Sequence, residues 1–234
     1  MSRAALILCC LVLAVTAATA ADIVTVPTAN QLRAGEVDVA HYWIGTDLPA
    51  GAPTQLNFNT LYVGLTDKIE IDAHEVKLIG GGPGAESWGS TTIWNATVLL
   101  LKEDQRNPNV VIGGRNLEGT SGPTGFKASW FVSAAKTVMA PVGGPPSLRS
   151  PVVRLHLSLG TEDETLFPPD KRHDGIFGGV QLMVDPRVGL IVLHDGEDLI
   201  TGITYTHKPG WPTIKGGTFG DHRWVGINYT FNVK

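Results

Sequence analysis

His156, Leu157 and Ser158 are the first residues in this chain to raise a chemical question. On an extended strand, residues two apart project from the same face, so an imidazole and a hydroxyl would stand side by side. A nucleophilic serine needs a base within hydrogen-bond reach and a third group to orient that base. The surrounding run, Val153-Arg154-Leu155-His156-Leu157-Ser158-Leu159, alternates aliphatic with polar residues throughout. In a transmembrane barrel the aliphatic face turns to lipid, which leaves Arg154, His156 and Ser158 inside. That geometry favours a hydrogen-bonding pair over a lipid-cleaving one.

Other strands offer similar polar sets. Gln55, Asn57 and Asn59 share one face, Glu70, Asp72 and His74 share another, and Arg115 joins Arg154 in supplying opposite charge. Pointed inward, these groups satisfy one another and either fill a closed barrel or line a narrow pore, with a slight lean toward filled or constricted. Asp195, Glu197 and Asp198 form an acidic tip, and Lys171-Arg172-His173 a basic spot that could meet lipopolysaccharide phosphates. Solvated loop charge explains both more simply. The run Gly80-Gly81-Gly82-Pro83-Gly84 lacks the Gly-Lys-Ser/Thr of a phosphate loop, and the seven histidines show no ligand spacing, so no cofactor or metal is expected.

The elements that would position these residues are strands. Segments of about ten alternating residues, each closed by turn chemistry, fall at 36–44, 54–65, 68–78, 91–101, 109–116, 126–138, 151–160, 175–184, 188–194, 199–207, 211–219 and 222–233. Twelve antiparallel strands suit a single-chain barrel, with ten as the alternative. Short turns at Thr66, Asp185 and Pro209 would face the periplasm, and 45–53, 79–90, 117–125 and 161–174 would face outward. The stretch 137–150, with Pro141, Pro145 and Pro146, is long for a periplasmic turn. Trp43, Trp94, Trp130, Trp211, Trp224 and Tyr229 suit interface girdles. No segment sustains helical spacing.

Composition agrees. The 234 residues include 28 glycines and 15 prolines, only 17% are charged, and the net charge of −4 argues against nucleic acid as a partner. Residues 1–20 read as a cleaved signal peptide: Arg3, an apolar run, then Ala18-Thr19-Ala20. Both cysteines, Cys9 and Cys10, lie within it. Residues 21–35 read as an extended arm in which Pro27 opposes helix, and 36–234 as a single β-barrel domain.

Several pieces together resemble the small outer-membrane barrels of the YjbH-like type, linked to exopolysaccharide systems. They are Val26-Pro27-Thr28-Ala29 with Gly35-Glu36, Tyr62-Val63-Gly64-Leu65-Thr66-Asp67-Lys68-Ile69-Glu70-Ile71, Gly113-Gly114-Arg115-Asn116, the run 154–160, and Leu193-His194-Asp195-Gly196-Glu197-Asp198. The resemblance implies an envelope barrel and carries no catalytic set. His156-Leu157-Ser158 is also similar to the His-x-Ser of outer-membrane phospholipases, but here leucine replaces the asparagine that follows the serine there, and no partnering asparagine motif lies downstream.

The reading that follows is a non-enzymatic bacterial outer-membrane barrel, acting as a narrow channel or as a structural or envelope-biogenesis barrel. Its expected partners are outer-membrane lipid and, through the resemblance, exopolysaccharide or other envelope components. A secreted β-sandwich that binds carbohydrate is the alternative, and a lipid hydrolase using His156 and Ser158 the third.

Overall fold

The computed structural model describes residues 22–23, 26–45, 55–80, 89–119, 128–139, 152–161, 163–166, 169–185 and 187–233. Residues 1–20, most of the glycine-rich run and residues 140–151 lie outside the described residues, as do the side chains of Lys171 and Arg172.

All described regular structure is strand. In chain order these are β1 (Asp22–Ile23), β2 (Val26–Pro27), β3 (Glu36–Gly45), β4 (Gln55–Gly64), β5 (Ile69–Ile79), β6 (Gly89–Leu101), β7 (Asn109–Arg115) and β8 (Ser129–Met139). Then come β9 (Val152–Gly160), β10 (Asp163–Leu166), β11 (Pro169–Arg172), β12 (Gly175–Met183), β13 (Val188–His194), β14 (Leu199–Thr206), β15 (Thr213–Phe219) and β16 (His222–Asn232). Twelve of them close into one antiparallel barrel, in which β16 returns to pair with β3. The ten-strand alternative is excluded, and the 211–219 segment yields a strand from Thr213. A closed barrel leaves no sheet edge, as a membrane wall requires. β1–β2 and β10–β11 form separate two-stranded ribbons; the second occupies a stretch that the sequence suggests is plain loop.

Period-two alternation decides which side chain faces where. Leu155, Leu157 and Leu159 are exposed on the outer wall, Leu157 by 62%, while the intervening His156 and Ser158 are 4% and 2% exposed. The same belt continues through Ile176, Val192, Ile203, Ile214, Val225 and Ile227, and on the far wall through Leu61, Val98 and Ile112. In water so much exposed apolar surface would be a liability; against lipid it is the favourable face. A soluble sandwich would bury these residues, so that alternative fails. Trp43, Trp94, Trp130, Trp211 and Tyr229 are exposed on the outside, as girdle residues would be.

Local chemistry fixes the short turns. Asp104 Oδ1 accepts the N–H groups of Arg106 and Asn107, both at 2.7 Å, and Asp185 Oδ1 those of Arg187 (2.6 Å) and Val188 (2.9 Å). Thr66 Oγ1 accepts from Lys68 (3.1 Å) and Ile69 (3.0 Å). These side-chain acceptors stand in for the backbone carbonyl of a turn. Hydrogen bonds from Asn107 and Arg106 to the ionised form hold the Asp104 carboxyl below the usual range. Lys136, on the outer wall opposite Leu155, carries its ammonium to the carbonyls of Asp104 and Asn107, so its stem lies along lipid and its charge reaches the turn.

Candidate functional site: the barrel interior

The interior divides into two layers along the barrel axis. Toward the loop end, where 46–54 and 80–88 connect strands, most inward positions are apolar, with Ile44, Phe58, Val76, Ile93, Phe131, Phe177, Leu193, Ile200, Phe219 and Trp224 all buried, interrupted by the polar Thr91, Arg115 and Ser129. Pairing stacks them in rows, Tyr42 opposite Phe58 and Phe58 opposite Val76. Glycines make room for the rings. A Cβ on Gly226 would fall 2.3 Å from the Tyr42 ring, one on Gly113 2.3 Å from Phe131, and one on Gly202 2.5 Å from Trp224. Trp224 Nε1 donates to the carbonyls of Thr201 and Thr218, both at 3.1 Å. Trp224 is therefore an interior residue, which corrects its assignment to an interface girdle. It sits on the face of β16 opposite Val225 and Ile227, and the filled interior takes the larger ring.

Toward the turn end polar inward positions become more frequent, and there the arm enters, its Val26 end reaching up to Ser158, which lies opposite Phe177. Val26, Thr28, Ala29, Asn30 and Leu32 are buried inside the barrel. Ser158 Oγ donates to the Pro27 carbonyl (3.1 Å) and Asn109 Nδ2 to the Ala29 carbonyl (3.2 Å). Arg154 Nε donates to Asn30 Oδ1 at 2.7 Å, and its Nη1 donates to Glu103 Oε2 and Thr137 Oγ1, both at 2.7 Å. The Leu32 N–H donates to Glu70 Oε2 at 2.7 Å. Where the arm leaves the wall it crosses Gly64, whose Cβ, if present, would lie 2.0 Å from the Arg33 carbonyl oxygen.

Several of the remaining inward polar groups cluster on the wall. Asp72 Oδ1 accepts from Asn95 Nδ2 (2.5 Å) and lies 2.7 Å from His74 Nε2, while Asn95 Oδ1 accepts the Asn116 N–H at 2.9 Å. Tyr62 packs edge-on against His74, ring centroids 5.2 Å apart. Arg115 Nη1 meets His173 Nδ1 at 3.0 Å. Asp38 accepts from Asn228 Nδ2 at 2.9 Å and from the Thr230 hydroxyl.

The structure thus places Glu70, Asp72, His74, Arg115, His156 and Ser158 buried on the inward face, with Arg154 half-buried beside them. It does not place Gln55, Asn57 and Asn59 there. These three lie on the outer face of β4, because Phe58, Thr60 and Tyr62 take the inward positions. β4 carries polar residues on one face and rings on the other; in a filled barrel the rings are drawn inward and the amides are turned out. Asn30, Asp38, Glu103, Thr137, Lys215 and Asn228 contribute to the interior although sequence reasoning passes over them. Asp38, between Val37 and Val39 on an alternating strand, carries a readable signal; Asn30, on an aperiodic arm, carries none.

This arrangement can bind an extended segment and seal a lumen. It is poorly built for hydrolysis: the Ser158 hydroxyl is engaged by Ser133 Oγ at 2.6 Å and by the Pro27 carbonyl, on the face away from lipid. Asp195 Oδ1 closes its own turn by accepting the N–H groups of Glu197 (3.0 Å) and Asp198 (2.7 Å), and His173 of the basic spot turns inward to Arg115. Among the described residues no group of three His, Cys, Asp or Glu side chains could hold a metal ion.

A closed barrel with an apolar belt outside and a packed interior is the architecture of an outer-membrane protein. The fold is that of an outer-membrane β-barrel. No protein-family model matches the sequence, and no curated protein does. Similar solved structures include the N-terminal β-barrel domain of OprF from Pseudomonas aeruginosa: 8% identity, TM-score 0.27, covering 86% of this chain and 100% of that one. They also include the COG4313 outer membrane channel from Pseudomonas putida F1: 13% identity, TM-score 0.36, covering 85% of this chain and 96% of that one.

Proposed function

We propose that this chain is a non-enzymatic, non-conducting barrel of the bacterial outer membrane, with a structural or envelope-biogenesis role rather than that of a channel. The observation that carries this reading is the double closure of the interior. Phe58, Phe131, Phe177, Phe219 and Trp224 fill the loop-end layer, and the arm from Val26 to Leu32 is bonded into the turn-end layer. A channel reading has the polar residues of the turn-end layer in its favour, yet solute passing them would still meet the buried rings. Association with exopolysaccharide components rests on the motif resemblance alone and is tested by co-purification from detergent extracts.

Planar-bilayer recording of the refolded chain tests the main reading. The expected record is a flat baseline at moderate voltage, with protein incorporation verified by a band that slows on boiling. Steady, reproducible conductance steps would restore the channel reading.

A further inference from the structure

The outer wall carries a feature that lipid contact does not require. His41 Nδ1 is hydrogen-bonded to Asn59 Oδ1, Asn59 Nδ2 donates to Glu75 Oε2 at 2.8 Å, and Lys77 Nζ donates to Glu75 Oε1 at 2.9 Å. This ladder crosses β3, β4 and β5 on their outward face. His41 pairs with Ile227, an exposed member of the apolar belt, so the ladder starts within the belt. Because barrel strands are tilted, the row climbs as it crosses them, and it reaches Thr92 near the loop end of β6. The groups of the row partner one another, and as it rises from the lipid belt toward the loop end it comes level with lipid headgroups.

Above its His41 end, where β16, β3 and β4 meet the loop-end rim, lies an open recess of about 370 Å³, lined by Trp43, Gln55, Arg223, Val225 and the inward Trp224, with Gly45 leaving space between them. Among the residues lining it, Arg223 is the one ionisable side chain. The Trp43 ring is braced edge-on by His41 at 4.0 Å between centroids. We infer that the recess and the ladder hold the phosphosugar headgroup of an outer-leaflet glycolipid. Arg223 pairs with the phosphate, Trp43 lies under the sugar ring, and the Gln55 amide with the adjoining ladder meets the hydroxyls. A second copy of the chain fits less well, since a two-fold contact centred on the recess would bring Arg223 against its own mate. The inference rests on the outer-membrane reading.

The test is titration of phosphorylated lipid A, in matched detergent, into the refolded full chain and into two variants, with phosphatidylglycerol as the comparison lipid. In Arg223→Gln the cation is lost. In Gly45→Leu the recess is filled, and the new Cβ would sit 3.5 Å from the Arg223 carbonyl oxygen, an ordinary contact that leaves the wall intact. The expected result is saturable binding of lipid A by the native chain, weakened about tenfold or more in each variant, with no saturable binding of phosphatidylglycerol. Equal behaviour of the two lipids, or native affinity in both variants, would overturn the proposal. So would a stable dimer that excludes lipid A, which would assign the ladder to a self-interface. A boiling-dependent mobility shift in all three proteins separates a lost site from a lost fold; its absence in the native chain would instead remove the membrane-barrel reading on which the site depends.

Discussion

The two layers of the interior are closed by different physics. The loop-end layer is sealed by rings set against glycines, as with Tyr42 on Gly226 and Trp224 on Gly202, and its cohesion comes from close packing. The turn-end layer is sealed by a segment far away in sequence, Val26 to Leu32, which is held there by directional hydrogen bonds from Arg154 and Asn109 and to Glu70, and whose leading end reaches up to Ser158, level with Phe177. Packing of the first kind is part of the wall and fails only with the fold. A hydrogen-bonded guest can be loosened while the wall persists. The barrel therefore has a permanent seal and a separable one.

Substitutions that act on one layer alone sharpen that difference. Trp224→Ala should be the most costly, about 3–5 kcal/mol, because it removes a buried ring and leaves the cavity unfilled. Denaturant unfolding of the refolded barrel in detergent reads this loss directly, and arm protection should fall only as global stability falls. Leu157→Arg, on the lipid side at mid-wall, should cost about 2–4 kcal/mol and lower refolding yield, with the interior untouched. Arg154→Ala should cost less, about 1–3 kcal/mol, since it removes donors to Asn30 and to the half-buried Glu103. Its signature is faster amide exchange of Asn30 to Leu32 with strand protection retained. Equal loosening of arm and strands would erase the distinction between the two seals. Gly64→Ala acts by sterics: a Cβ 2.0 Å from the Arg33 carbonyl must push the arm off the wall, and limited proteolysis should then cut near Arg33 in a barrel that still shows its mobility shift. Asn59→Leu should have the smallest effect on stability, because it removes only two outward hydrogen bonds, with His41 and Glu75, at a position where an apolar side chain is tolerated.

Much of the wall is legible in the sequence, and the reason is geometric. Alternation such as Val153 to Leu159 or Val225 to Val233 leaves one assignment of faces consistent with a membrane, and turn residues such as Thr66 and Asp185 mark the strand ends. Faces become ambiguous where both are mixed. On β4, Gln55, Asn57 and Asn59 look lumenal until it is known that the interior is crowded enough to claim Phe58 and Tyr62. Trp224 misleads for the related reason that a tryptophan near a strand end suits either a girdle or a plug. The arm is the least legible part. Residues 26–33 have no period, and their fit depends on Gly64, Glu70, Arg154 and Ser158, which only the closed barrel brings together.

Cysteine accessibility at Ser133 tests the two-seal account most directly. Ser133 is fully buried and hydrogen-bonded to Ser158, beneath the Pro27 carbonyl, and the chain's own cysteines are Cys9 and Cys10, within the expected leader. A Ser133→Cys barrel refolded from residues 21–234 should resist a water-soluble thiol reagent. After removal of residues 21–33 it should label readily from the turn end while the loop end stays closed. Rapid labelling with the arm in place, or from the loop end in either protein, would contradict the account.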